Sequence, residues 1–468
     1  MEFRNLTPFP AMAFDSLDQH DRRFHTVVMR LTFALQDDGR LALAPVQTPL
    51  ATSDDYFGEP NRSSVRQESD LAPYKPHTDV ILIADAVAPQ GRPKPTKRFD
   101  VTLQINGAPT VPELPPEPHG MNPTYRASCD QLAAWRQRCA RLSARAAAGP
   151  VVLSKTLTVT GAREWRKRSL PLRALSMLTL APWRLTPALP VTTLPLRYEY
   201  AYGGENKILA GEHAARRVGT RHRLPGHAPQ SGLGHADEAI AHAVCEQNPV
   251  GRGFAEPWFR RATRLTRVPA PQIEAPGEPV SRLGKPSAPQ GFGVIGRAWT
   301  PRLALAGTYD QRWLDERHPY LPADFDFGYW NGAPLDQQVT PHLTGDEQIT
   351  LMNLSVPTAH AAHDADGNAR LTFALPGHLP FVLVRFEDGR IGELAARFDT
   401  LMIDAAPDAD APDKRLAVVC VWRATVATEP AVRVLEARML SAADVAALRQ
   451  GAPDGKPAQQ PHLAVVSG

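Results

Sequence analysis

Proline recurs so often along this sequence, 46 times in 468 residues, that few long helices can form. That is about twice the usual share of roughly 5%. Each proline fixes φ and removes a donor, which helix interiors and central strands tolerate poorly. The architecture left open is one of many short strands joined by turns, and the strand patterns are present. Leu31, Phe33 and Leu35 alternate before Asp37-Asp38-Gly39 and Leu41-Ala42-Leu43, which reads as a hairpin. Val80-Ile81-Leu82-Ile83-Ala84, bounded by Pro76 and Pro89, reads as a strand buried on both faces. Val101, Leu103 and Ile105 alternate, as do Leu153, Leu157 and Val159, and 418–426 supplies a last strong strand. Leu194, Leu196, Tyr198, Tyr200 and Tyr202 read as one strand with an aromatic face that stops at Gly203-Gly204.

The predicted fold is therefore mainly β, a β-rich α+β protein of antiparallel, sandwich-like modules with a few short helices. Helices are expected near 128–148, where Leu132, Trp135, Cys139 and Leu142 share a face, near 235–246, and near 441–450 behind a Ser441 cap. Composition shifts divide the chain into a β module at 1–110, a proline-rich linker and basic helix at 111–149, a β-rich stretch with long loops (204–234 and 266–290) at 150–290, an aromatic block with a second β module at 291–440, and a capping helix and tail at 441–468. Arg370-Leu371-Thr372-Phe373-Ala374-Leu375 repeats Arg30-Leu31-Thr32-Phe33-Ala34-Leu35, and Asp388-Gly389-Arg390 echoes Asp38-Gly39-Arg40. Two similar hairpin edges are the simplest reading.

A net charge of +3 creates no global field toward nucleic acid or anionic membrane, and no run reaches the roughly 18 apolar residues of a spanning helix. Cys129, Cys139, Cys245 and Cys420 lack zinc or C-x-x-C spacing, and the N-terminus lacks a basic start followed by an apolar run. A cytoplasmic protein with free thiols is the expectation.

Chemistry is hard to find. Gly291, Gly293 and Gly296 spell G-x-G-x-x-G, but a loop precedes them and Pro301 follows, so the strand and helix that would seat a pyrophosphate are not predicted. His235, Glu238 and His242 would share a helix face, and the opposite placement of Ile240 and Val244 turns that face to water rather than to a metal. His360, His363, Asp364 and Asp366 gather near an Asp-Gly-Asn step that reads as a turn, not a calcium loop. The basic group Arg163, Arg166, Lys167 and Arg168 reads as a solvated hairpin face. No nucleophile elbow, phosphate loop or H-E-x-x-H occurs. Neither catalytic residues, nor a cofactor, nor a metal site is predicted.

The densest signal is 289–338. It packs Trp299, Tyr309, Trp313, Tyr320, Phe325, Phe327, Tyr329 and Trp330 among Asp310, Asp315, Glu316, Asp324 and Asp326. Aromatic side chains carry large contact area at low rotamer cost, so such a block marks a binding surface or a packing seam. Leu303 and Leu305, alternating with Arg302 and Ala304, suggest a buried strand face and hence a seam for part of it. The candidate partner-binding residues are Arg297, Trp299, Tyr309, Asp310, Trp313, Asp324, Asp326 and Trp330. The rival reading is a carbohydrate-binding or carbohydrate-active groove lined by Trp313, Tyr320, Trp330, Asp310 and Asp326.

This block follows, in order, Asn5-Leu6-Thr7-Pro8-Phe9, the run from Arg66-Gln67-Glu68-Ser69-Asp70 through Lys75-Pro76-His77-Thr78-Asp79-Val80, then Tyr198-Glu199-Tyr200-Ala201-Tyr202-Gly203-Gly204 and Asn248-Pro249-Val250-Gly251-Arg252-Gly253. Together these resemble a family of bacterial accessory proteins of the type VI secretion system, catalogued as a domain of unknown function and encoded beside the spike protein VgrG, PAAR-repeat tips and effectors. The resemblance implies a non-catalytic adaptor or chaperone that binds an effector or PAAR protein and loads it onto VgrG. It carries no catalytic residues to transfer.

Overall fold

Successive side chains of the strand Arg23–Leu35 leave it for three different cores: Leu31, Phe33 and Leu35 enter one, Val27 and Met29 a second, and Val28 a third. A strand so used must be central. In the computed structural model, which describes residues 1–91, 94–108, 129–143, 149–168, 182–226, 235–357, 360–407 and 415–441, it is. It lies in a seven-stranded sheet ordered Ala11–Leu17, Arg23–Leu35, Ala417–Ala427, Arg397–Asp404, Thr78–Ile83, Gln338–Val339, with Leu41–Leu43 also paired to Arg23–Leu35. Only Arg397–Asp404 and Thr78–Ile83 run parallel in it. The expected hairpin is present, its turn placing Gly39 at φ +80°.

A six-stranded sheet is ordered Ile273–Glu274, Val151–Thr160, Arg98–Asn106, Gln348–Met352, Ala369–Ala374, Ala362–His363. Its Val101, Leu103, Ile105, Leu157, Ile349 and Leu371 meet Leu31, Phe33, Val80, Leu82, Leu401 and Val418 in the main core. Strands from 1–110 and from 291–440 thus share both large sheets. A four-stranded sheet, Glu2–Asn5, Val432–Leu440, Leu379–Phe386, Ile391–Ala395, covers Val27 and Met29. The protein is mainly β, and among the described residues no helix is long and apolar enough to cross a membrane.

Thr78–Ile83 is buried at all six positions, as its apolar run predicts. Beyond the short partner Gln338–Val339 its outer edge would carry bare backbone, a hazard that sheets must cover. The aromatic block covers it. Leu82 N donates to Phe292 O at 3.2 Å, and Gln337 Nε2 donates to Val80 O at 2.7 Å and Phe292 O at 3.0 Å.

Adjacent antiparallel strands Arg98–Asn106 and Val151–Thr160 are joined by a long excursion with a closed neck. Asn106 and Val151 are register partners, Gly107 N donates to Pro150 O at 2.8 Å, and Asn106 Nδ2 donates to Gly149 O at 2.9 Å. A Cβ on Gly149 would lie 2.2 Å from Gly107 O, so only glycine closes this neck. The excursion carries the expected helix, Cys129–Ser143.

Some expectations fail. Residues 194–202 are not one strand: a short strand Thr193–Pro195 gives way to the 3-10 turn Tyr198–Tyr200 and the pair Tyr202–Gly203. Asn248 is the cause, since its buried amide donates to Tyr198 O at 2.9 Å and Tyr202 O at 3.0 Å, curling the backbone. Tyr202–Gly203 then pairs in parallel with Arg252–Gly253, so the Tyr-Gly-Gly and Asn-Pro-Val-Gly-Arg-Gly motifs form one joint. A Cβ on Gly203 would sit 2.1 Å from Asn248 O. Gly203→Ala is accordingly expected to cost about 1–3 kcal/mol in a denaturant melt. An unchanged midpoint would show that the joint yields freely.

The stretch 235–246 is no helix. Ala239–Val244 is a strand paired with Glu205–Leu209, within what read as a loop, and Ile208, Ile240 and Ala241 close a small core with Trp258. Packing against Ile208 overrides the weak helical period. The two copies of Arg-Leu-Thr-Phe-Ala-Leu do not make equivalent hairpins, because Asp388-Gly389-Arg390 follows Leu379–Phe386 rather than Ala369–Ala374. Of the basic group, Arg163 is mostly buried against Glu274, whereas Arg166 is exposed beside Glu164. The expected helix at 441–450, apart from Ser441, and the proline-rich linker ahead of Cys129 lie outside the described residues.

Candidate functional site

The block at 289–338 is anchored by charges that come from 54–80. Glu68 is almost fully buried and accepts from Arg302 Nη1 at 2.7 Å and Arg297 Nε at 3.1 Å, while Arg297 Nη2 reaches Asp54 Oδ1 at 3.1 Å. Arg302 also donates to Tyr329 O at 2.7 and 3.0 Å and to Ile295 O at 2.6 Å. Residues 302–305 form a 3-10 helix, which inverts the expected alternation: Arg302 is buried and Leu303 exposed. A guanidinium satisfied by three carbonyl contacts and a carboxylate is cheaper to bury there than an aliphatic chain that leaves those acceptors bare.

Asp79 is the second anchor and is fully buried. It receives Lys75 Nζ at 2.8 Å, Asn331 Nδ2 at 3.0 Å and the backbone amides of Gly332 at 2.9 Å and Ala333 at 3.1 Å. Burial alone opposes the charge on Lys75, yet the carboxylates of Asp79, Asp399 and Glu68 hold it above its ordinary range. Nearby, Arg30 pairs with Asp70 at 2.8 Å and Arg423 with Asp399 at 2.5 Å, all four buried. The charges of the 66–80 motif are thus structural clamps. The sequence pattern does not group Glu68, Lys75, Asp79 and Arg302; its one signal is that Arg66, Glu68, Asp70, Lys75 and Asp79 crowd around Pro73 and Pro76 in a non-alternating stretch.

On this base the aromatic rings separate into three sets. Trp299 is core, only 7% exposed, with its ring 5.4 Å edge-on from Tyr198. Tyr74, Phe327, Phe325, Tyr329 and Trp330 form a chain of edge contacts at 5.4 to 5.9 Å, with Arg297 over Trp330 at 5.4 Å and Arg302 over Tyr329 at 5.6 Å. The third set projects outward. Tyr309 meets Trp313 at 4.7 Å, Trp313 meets His318 at 5.3 Å, and Trp313 Nε1 donates to Tyr320 O at 2.9 Å.

Three carboxylates of the block, Asp310, Asp324 and Asp326, are occupied in holding backbone. Asp310 Oδ1 caps the helix Gln311–Glu316 by accepting from Trp313 N at 2.8 Å, and Asp326 caps the turn Phe327–Trp330 through Gly328 N at 2.7 Å. Asp324 accepts from Thr308 N at 3.0 Å and Thr308 Oγ1 at 2.7 Å, bonds that hold its carboxyl below the usual range. The structure therefore groups Tyr309, Asp310, Trp313 and Asp324 in one outward hook, places Arg297 and Trp330 in the clamped ladder beside Asp326, and sends Trp299 inside. Trp313 and Tyr320 meet, but Trp330 stands in the other set, under Arg297.

Elsewhere, Gly291, Gly293 and Gly296 lie in irregular chain, with no strand running into Gly291 and no α-helix leaving Gly296. His242 reaches across its strand pair to Glu205 at 2.9 Å. Asp364 Oδ1 accepts from Asp366 N and Asn368 N, both at 2.9 Å, closing the turn between Ala362–His363 and Ala369–Ala374.

A family model described as an uncharacterized protein conserved in bacteria (DUF2169) matches residues 20–111 and 130–423. The chain belongs to this bacterial family. The matched residues include the clamps, the ladder and the hook, and the break at 112–129 falls within the excursion between Asn106 and Val151. No curated protein and no solved structure matches the chain.

Proposed function

We propose that this protein is a non-catalytic adaptor or chaperone of a bacterial type VI secretion system, acting in the cytoplasm to bind an effector or PAAR-type tip protein and promote its loading onto VgrG. The likeness of its motifs to such accessory proteins suggests the system. The observation that carries the binding role is the outward hook: the exposed rings of Tyr309 and Tyr320 flank a short, capped helix that carries the half-buried Trp313, on a clamped base. Rigid aromatic anchors suit protein contact because they bury much area at little entropic cost. A glycosidase reading would require a pair of carboxylates free to exchange protons, whereas Asp310 and Asp326 each hold the start of a helix. The protein, tagged and recovered from its own cell, is expected to retain an effector or PAAR protein, and VgrG through it. Recovery of the folded protein with no spike, tip or effector protein, together with hydrolysis of a glycan, would overturn the reading.

A further inference from the structure

We infer that the surface formed by Tyr309, Trp313, Leu314 and Tyr320 docks a basic, apolar segment of a partner protein, one that interleaves arginine or lysine with aliphatic side chains. The inference rests on the adaptor reading and gives the partner a chemistry.

Exposure is the first ground. Tyr309, Leu314 and Tyr320 are 54%, 51% and 45% exposed around the half-buried Trp313. Single exposed apolar residues are ordinary, but a contiguous group on a fixed scaffold marks an interaction site. Rigidity is the second. Asp310 caps the helix, Trp313 Nε1 ties it to Tyr320 O, and the Arg317 side chain donates to Leu321 O at 2.8 Å and Gln19 O at 3.1 Å and pairs with Asp21 at 2.9 Å. Little ordering remains to oppose binding.

Charge selects the occupant. Residues 308–326 hold five carboxylates against two arginines, a local charge of −3 in a chain that carries +3 overall. Both arginines already have carboxylate partners, Arg312 with Glu316 at 3.0 Å and Arg317 with Asp21. Asp310, Asp324 and Asp326 are held by backbone amides and Thr308, and Asp315 by Gln311 Nε2 at 2.8 Å. Such donors carry no net charge to cancel a carboxylate's field. An apolar centre with an acidic rim complements a basic, apolar segment and repels an acidic one. The exposed faces of Tyr309 and Tyr320 also accept cationic side chains.

The test uses the full chain and two fluorescent amphipathic peptides, one of leucine and lysine, its twin with glutamate at every lysine. The lysine peptide is expected to bind with an affinity that falls as salt rises, and the glutamate twin at least about tenfold more weakly. Tyr309→Ala and Leu314→Ala, both at exposed sites, should each weaken binding about tenfold or more. Asp315→Asn should weaken it severalfold and flatten the salt dependence, while Leu335→Ala, exposed on another turn, changes nothing. Equal binding of the twins, an equal loss in the Leu335 variant, or displacement of the peptide by a chito-oligosaccharide would overturn the inference. Discrimination between the peptides without retention of any secretion protein from cells would uphold the docking chemistry and sink the adaptor reading. Retention of a secretion protein through Tyr309 by an acidic or neutral segment would do the reverse.

Discussion

Asp79→Ala is expected to lower the unfolding free energy by about 3–5 kcal/mol, the range for stripping one partner from a buried ion pair. The change leaves Lys75 charged in the interior and removes the acceptor of Asn331, Gly332 and Ala333. Asp79→Asn keeps one acceptor oxygen and should fall between the two. Urea unfolding followed by tryptophan fluorescence reads both; a loss under about 1 kcal/mol, the range of an exposed pair, would mean that Lys75 escapes to water. A pH arm follows from the direction of the Lys75 shift. Its folded pKa lies above the ordinary 10.5, so its charge stabilises the folded state fully below that value. The contribution disappears as pH climbs through the still higher folded value. Wild type should therefore lose stability in strong alkali more steeply than Lys75→Met, and equal slopes would contradict the pairing.

The second large effect divides the aromatic block in two. Trp299→Ala, at a core position against Tyr198, should cost about 3–5 kcal/mol of stability. Tyr309→Ala, at an exposed one, should change stability by no more than about 0.5 kcal/mol yet remove on the order of 2 kcal/mol of partner affinity. Thermal melts and partner retention measured on the same two variants separate packing from docking. If Tyr309→Ala melts as early as Trp299→Ala, the hook is not a surface.

The strands were readable because burial on one or both faces writes itself into side-chain order: Val80 to Ile83 and Val101 to Ile105 needed no partner to be recognised. Where a distant side chain bends the backbone, local pattern misleads. Asn248 curls 198–202, and Ile208 recruits 239–244 into a strand, and neither influence is local. The block at 289–338 stood out by composition, but which rings face inward depends on Glu68 and Asp79, more than two hundred residues away. Arg302 shows the limit sharply, since a charged residue takes the interior position that its aliphatic neighbour Leu303 was expected to fill.

The closed neck at Asn106, Gly107, Gly149 and Pro150 gives the chain a socket. Its two ends are already register partners in the six-stranded sheet, so whatever is inserted there leaves the sheet's pairing as it stands. The free energy of tethering an insert grows only with the logarithm of its length, roughly 0.6 kcal/mol per doubling. Length and content in this excursion can therefore drift between relatives at small expense to folding, which fits the break in the family match at 112–129. For an engineer it is also the natural place to graft a reporter or a tether without touching the clamps or the hook.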